Sequence, residues 1–179
     1  CNFEGLGPSA LLKNAGGLRF TDETRRAGLD RRDAGMGMGW ADYDLDGFVD
    51  LAVADFTGPT RLYRNRGDGT FVETTRQAGI DTPGEDPVNG DFGAIASLWA
   101  DYDDDGRPDL LTVGWGWNRR YRNKGDSTFE EVARRAGIED GKGRKGDLSF
   151  FFDFDNDGKL DLLMGHYATN SDERWAWAP

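Results

Sequence analysis

Short apolar runs punctuate the chain at regular places. Leu51-Ala52-Val53-Ala54, Leu110-Leu111-Thr112-Val113 and Leu162-Leu163-Met164 are of strand length rather than helix length. Ahead of the first two stand Met36-Gly37-Met38-Gly39-Trp40 and Ile95-Ala96-Ser97-Leu98-Trp99, small or apolar at every position, the pattern of a strand covered on both faces. A second kind of run ends in Leu11-Leu12-Lys13-Asn14, Leu62-Tyr63-Arg64-Asn65 and Arg120-Tyr121-Arg122-Asn123, and each leads through a Gly-containing turn into Phe20, Phe71 or Phe129. This pattern predicts a hairpin in each copy. Arg26-Ala27-Gly28-Leu29, Gln77-Ala78-Gly79-Ile80 and Arg135-Ala136-Gly137-Ile138 then recur as a connector of one helical turn stopped by glycine.

Between the two kinds of run lies the most regular feature of the sequence. Asp42-Tyr43-Asp44-Leu45-Asp46-Gly47-Phe48-Val49-Asp50 recurs as Asp101-Tyr102-Asp103-Asp104-Asp105-Gly106-Arg107-Pro108-Asp109 and as Asp153-Phe154-Asp155-Asn156-Asp157-Gly158-Lys159-Leu160-Asp161. The loops start 59 and 52 residues apart and the turn asparagines 51 and 58, so one supersecondary unit fills each period. The unit reads strand, acidic loop, strand, connection, strand, Gly-containing turn, strand: a four-stranded antiparallel sheet of the kind that forms a propeller blade.

Carboxylates at positions 1, 3, 5 and 9, with a glycine at 6, let a short loop curl oxygens round one hard cation, and Ca²⁺ takes six to eight such ligands. The candidate ligands are Asp42, Asp44, Asp46 and Asp50 in the first loop, Asp101, Asp103, Asp105 and Asp109 in the second, and Asp153, Asp155, Asp157 and Asp161 in the third. The backbone carbonyls of Phe48, Arg107 and Lys159 at position 7 are the expected additional ligands, giving about three ions in all. An EF-hand closes with a glutamate at position 12 between two helices. Here position 12 is Val53, Thr112 or Met164 and the flanks are strands, so the loop belongs at the bend of a hairpin.

Charge and composition narrow the function. The formal net charge is −11, and the twelve candidate-ligand aspartates more than account for it, so the acidity belongs to the loops. Lys and Arg are scattered without a basic stripe, which leaves nucleic-acid binding unsupported. No apolar run approaches 18 residues, so no transmembrane segment is expected. The single cysteine, Cys1, rules out an internal disulfide; it is either the lipidated first residue of a mature lipoprotein or the point where a fragment begins. Calcium sites of this kind argue for an extracellular or cell-surface location. No catalytic set emerges, because the serines have only His166 to share and a fully coordinated Ca²⁺ is structural, so the chain is not expected to be an enzyme. His166 lacks the companions of a zinc set. Arg66-Gly67-Asp68 falls within a repeat turn and is read as a chance tripeptide.

The loops, together with Asn65-Arg66-Gly67-Asp68-Gly69-Thr70-Phe71, resemble the FG-GAP/VCBS repeats, the family of integrin α-subunit propellers and of UnbV/ASPIC-associated bacterial proteins. The resemblance covers roughly residues 10 to 170 and implies Ca²⁺ on the twelve loop aspartates; the turns at Asn14-Ala15-Gly16-Gly17 and Gly125-Asp126-Ser127 have drifted from the motif. The expected fold is all-β, of propeller-type four-stranded antiparallel blades, in about three repeats. It divides into a half-blade at 10–31 (strands three and four), blades at 35–81 and 92–139, and a half-blade at 147–179 (strands one and two, with 174–177 as a candidate third). Half-blades carry unpaired edges that recruit strands, from neighbouring repeats of the same polypeptide or by self-association into a head-to-tail ring or filament. The alternative is a module that recognises a glycan or protein, with Trp99, Trp115, Trp117, Trp175 and Trp177 as a stacking face, or a fragment of a larger surface propeller.

Overall fold

The computed structural model describes residues 9–31, 35–56, 58–80, 93–114, 118–138 and 144–169. Cys1, Trp115, Trp117 and the segment 174–177 lie outside them. Twelve strands follow in order: β1 (Leu12–Gly16), β2 (Arg19–Asp22), β3 (Gly35–Ala41), β4 (Asp50–Asp55), β5 (Arg61–Asn65), β6 (Phe71–Glu73), β7 (Ala94–Ala100), β8 (Asp109–Gly114), β9 (Asn118–Asn123), β10 (Phe129–Glu131), β11 (Arg144–Phe152) and β12 (Asp161–Thr169). They form two four-stranded antiparallel sheets, β3-β4-β5-β6 and β7-β8-β9-β10, and two antiparallel pairs, β1-β2 and β11-β12. The chain is all-β with propeller-type blades, and no described helix is long and apolar enough to cross a membrane.

Strand alternation explains how the sheets stack. On β4, Leu51 and Val53 pack with Tyr63, Leu29 and Phe71, on the side lined by Ser9, Ala10 and Leu11. The intervening Ala52 turns to the opposite face, where it joins Tyr43, Leu62, Ala78, Ile80, Leu110, Tyr121 and Phe129. All six residues of β4 and all six of β8 are therefore buried, since both faces of each strand are covered. The strand expected to be covered on both faces, β3, is instead half-open. Met36, Met38 and Trp40 are exposed along one side, the last two lining a groove with Leu11, Leu29 and Val53, because no further sheet lies against them among the described residues. The glycines of β3 serve its other side: a Cβ on Gly37 would fall 2.5 Å from the Ile95 carbonyl oxygen, and one on Gly39 2.7 Å from that of Ser97, so blades one and two meet backbone to backbone.

Hydrogen bonds also cross between blades. The amide of Phe71 donates to the Ala27 carbonyl (2.9 Å) and that of Phe129 to the Ala78 carbonyl (2.8 Å). Ala27 and Ala78 belong to the glycine-stopped connectors. In the first, Ala27 N–H bonds Glu23 O, Gly28 N–H bonds Arg25 O and Leu29 N–H bonds Thr24 O, a single helical turn with a Schellman closure. The second repeats it at Ala78, Gly79 and Ile80. Gly79 takes φ +74°, where an alanine side chain is strained. Gly79→Ala should destabilise the fold by about 1–2 kcal/mol, read as a lower urea midpoint with an unchanged slope.

Candidate metal centre

Each acidic loop joins the first two strands of a sheet, and the antiparallel register (Ala41 opposite Asp50, Ala100 opposite Asp109, Phe152 opposite Asp161) brings its ends together. The position-1 carboxylate then folds the loop by accepting two amides. Asp42 takes those of Asp46 and Gly47 (3.0 and 2.9 Å), Asp101 those of Asp105 and Gly106 (3.0 and 2.8 Å), and Asp153 those of Asp157 and Gly158 (3.1 and 2.9 Å). Glycine at position 6 has φ between +84° and +89° in all three loops. Position 4 is also left-handed, at Leu45, Asp104 and Asn156. Side chains as different as leucine and aspartate accept this costly conformation, so the loop rather than the residue sets it.

Three of the four predicted carboxylates converge in every copy. Ligand oxygens of Asp42, Asp44 and Asp50 lie within 4.8 Å of one another, as do those of Asp101, Asp103 and Asp109, and of Asp153, Asp155 and Asp161. The position-5 carboxylates of Asp46, Asp105 and Asp157 are not part of these triads. Each accepts the amide of position 7, from Phe48 (2.9 Å), Arg107 (3.1 Å) or Lys159 (2.9 Å), and each also pairs with a basic side chain. The amides of Phe48, Arg107 and Lys159 are thereby fixed, which orients the residues whose carbonyls are the additional candidates.

Position 9 is the anchor. Asp50 is fully buried and accepts the amides of Tyr43 (3.1 Å) and Asn65 (2.8 Å); Asp109, equally buried, accepts those of Tyr102 (3.4 Å) and Asn123 (2.7 Å). The loop and the start of the next turn are thus tied through one carboxylate. Burial pushes both carboxyls up to about 6, against the lowering effect of those amides and with help from the neighbouring loop aspartates. Asp161 in the third loop accepts the Phe154 amide (3.0 Å) and is only half-buried.

The triads suit a hard cation. The donor set is all oxygen, and in the first loop Asp44, whose side chain is 6% exposed, holds its Oδ1 buried without a hydrogen-bond partner. A buried carboxylate oxygen lacking a donor is costly, and a cation among Asp42, Asp44 and Asp50 removes the cost. The sequence did not single out the bases that flank these loops, Arg64 and Arg122, and it marked the turn asparagines after them without giving them a part in the loops. Asn123 donates Nδ2 to the Tyr43 carbonyl of the preceding blade (2.8 Å) and to Pro108 of its own loop (3.0 Å). The recurrence of a basic residue before each turn asparagine, at Lys13, Arg64 and Arg122, was the available signal.

Stacked antiparallel blades, each bent about an acidic loop with a carboxylate triad, define a propeller-type repeat protein. FG-GAP-like repeats match at residues 42–96 and 101–164, and the chain belongs to that family. It is similar to cartilage acidic protein 1 of Homo sapiens and of Mus musculus, at 30% identity over 171 residues in each case, and to that of Xenopus tropicalis at 29% over 170. These alignments take in 89% of this chain, which spans about a quarter of the length of the relatives.

Proposed function

We propose that the chain is a calcium-stabilised repeat scaffold that works outside the cytosol and joins further repeats through its open blade faces. The observation that carries the calcium assignment is the triad of Asp42, Asp44 and Asp50 around a buried, unpartnered Asp44 oxygen, repeated in outline at Asp101, Asp103 and Asp109 and at Asp153, Asp155 and Asp161. A divalent ion at each triad would lock the hairpin bend and the turn that Asp50 or Asp109 ties to it. The matched relatives are named for cartilage and for acidity, which supports a place where millimolar Ca²⁺ fills sites of moderate affinity.

Joining is supported by complementary edges. Among the described residues β12 ends its sheet where β4 and β8 are followed by a third strand, and β1 is itself such a third strand, equivalent to β5 and β9. A β12-to-β1 contact therefore completes a four-stranded blade, whether the incoming repeat lies on the same polypeptide or on a second copy. Cover at loop position 2 follows the same logic. Tyr43, with a blade seated on it, is 2% exposed, whereas Phe154 is 67% exposed.

Calorimetric titration with Ca²⁺ tests the assignment. About three ions per chain are expected, and the triple variant Asp44→Asn, Asp103→Asn, Asp155→Asn should take up none; a wild-type chain that evolves no binding heat would defeat the proposal. Sedimentation in Ca²⁺ tests joining between copies, with growth in mass expected as concentration rises and a constant monomer mass counting against it.

A further inference from the structure

Two arginines on equivalent strands are built into the metal loops. Arg64 of β5 places Nε 2.7 Å from Asp44 Oδ2 and Nη2 2.9 Å from Asp46 Oδ2. Arg122 of β9 places Nε 2.6 Å from Asp103 Oδ2 and Nη2 3.4 Å from Asp105 Oδ2. Arg107 adds a second guanidinium to Asp105 from within its own loop. Each strand arginine therefore holds a position-3 carboxylate that is also a member of the candidate ligand triad, and a position-5 carboxylate beside it. In the first loop the two oxygens of Asp44 divide between these roles: Oδ2 meets the guanidinium while Oδ1 is buried within the site.

From this arrangement we infer that Arg64 and Arg122 are tethered counter-cations that lower the calcium affinity of the first two loops and keep those loops closed when the ion leaves. The inference rests on the calcium assignment above. Four or five aspartates crowd into each nine-residue loop, and a fixed positive charge offsets their repulsion without an ion. The same charge opposes the arrival of a second cation. At a separation near 4–5 Å, one unit charge against a divalent ion weakens binding by roughly tenfold or more even with water-like screening. The third loop differs, for Lys159 pairs with Asp157, outside the triad, and no arginine meets Asp153, Asp155 or Asp161 among the described residues. Arginine suits the task because its planar fork spans two carboxylates at once, and because it stays charged throughout the physiological range.

The test compares Arg64→Gln with Arg64→Lys in the full chain, by Ca²⁺ titration calorimetry and by melting in EDTA. Loss of the charge should raise the affinity of one site about tenfold and lower the melting temperature in EDTA by about 3–5 °C, two effects of opposite sign. Arg64→Lys should stay close to wild type in both. Affinity that falls or does not change in Arg64→Gln overturns the inference, because the arginine would then only position Asp44. If Arg64→Gln fails to fold, Arg122→Gln carries the same comparison at the second loop. A wild-type chain that takes up no Ca²⁺ overturns the calcium assignment instead, and the EDTA melts still decide whether Arg64 acts as a counter-charge: equal melting of Arg64→Gln and Arg64→Lys would refute it.

Discussion

Melting temperatures measured with and without Ca²⁺ should diverge as pH rises, with opposite slopes between about pH 4.5 and 7.5. Binding to the folded loops alone stabilises by about 2.7 kcal/mol per site at a hundredfold excess over Kd. For the two loops closed by buried aspartates that is about 5 kcal/mol, or roughly 10–20 °C for a chain of this size. The pH dependence comes from Asp50 and Asp109. Their folded carboxyls are pushed up to about 6 by burial, above the unfolded value of about 3.9. A raised carboxyl contributes stability that is fully present below pH 4 and is lost as pH climbs through 6, so the chain in EDTA should weaken over that window, by on the order of 2 kcal/mol for each group.

Calcium reverses the sign because it takes the ionised carboxylates. Its affinity should fall as Asp50 and Asp109 gain protons, so the stabilisation by Ca²⁺ grows from pH 5 to pH 7.5. Below pH 4 a different set acts: Asp68 and Asp126 are lowered chiefly by the hydroxyls of Thr70 and Thr128, and their contribution, present above the unfolded value, is lost as the pH drops further. Scanning calorimetry at pH 5 and 7.5, in millimolar Ca²⁺ and in EDTA, reads both slopes. Parallel curves in the two conditions would remove the buried position-9 aspartates from the metal site.

The loops were legible in the sequence because their signal is local. An aspartate pattern with glycine at position 6 needs no knowledge of neighbouring strands, and it located the Asp42, Asp101 and Asp153 bends directly. What the pattern could not assign was the task of each carboxylate. Asp46 stands outside its triad with one oxygen on the Phe48 amide and the other on Arg64 of β5, a contact 18 residues away that depends on sheet register. The exposure of Met36, Met38 and Trp40 was hidden for a similar reason, since a run of small and apolar residues looks the same whether one or two sheets cover it. The left-handed backbone at position 4 was legible only in part. Aspartate and asparagine tolerate that region, whereas the leucine of the first loop gives no sign of it.

Removing the ring of Tyr43 should be the most damaging single change in the chain. It occupies loop position 2, yet its side chain belongs to the next blade: the ring stacks parallel to Trp99 at 6.2 Å (9° between planes) and tilts against Phe129 at 5.6 Å. Its hydroxyl meets Thr74 Oγ1 at 3.3 Å, its amide donates to Asp50, and its carbonyl accepts from Asn123 of the second blade. Tyr43→Ala therefore opens a cavity between two sheets and should cost about 3–5 kcal/mol. Tyr43→Phe keeps the stacking and loses one long hydrogen bond, so about 1 kcal/mol or less is expected. Tyr102 occupies the same loop position in the second blade but is half-exposed, with the Arg120 guanidinium over its ring. Tyr102→Ala should accordingly cost well under half as much as Tyr43→Ala in urea titrations. Because the Tyr43 backbone also helps fix Asp50, the alanine variant should weaken Ca²⁺ at the first loop while sparing the third. Equal losses from the two tyrosines would mean that the blades do not lean on one another through this ring, and that each acidic loop closes independently of the sheet beside it.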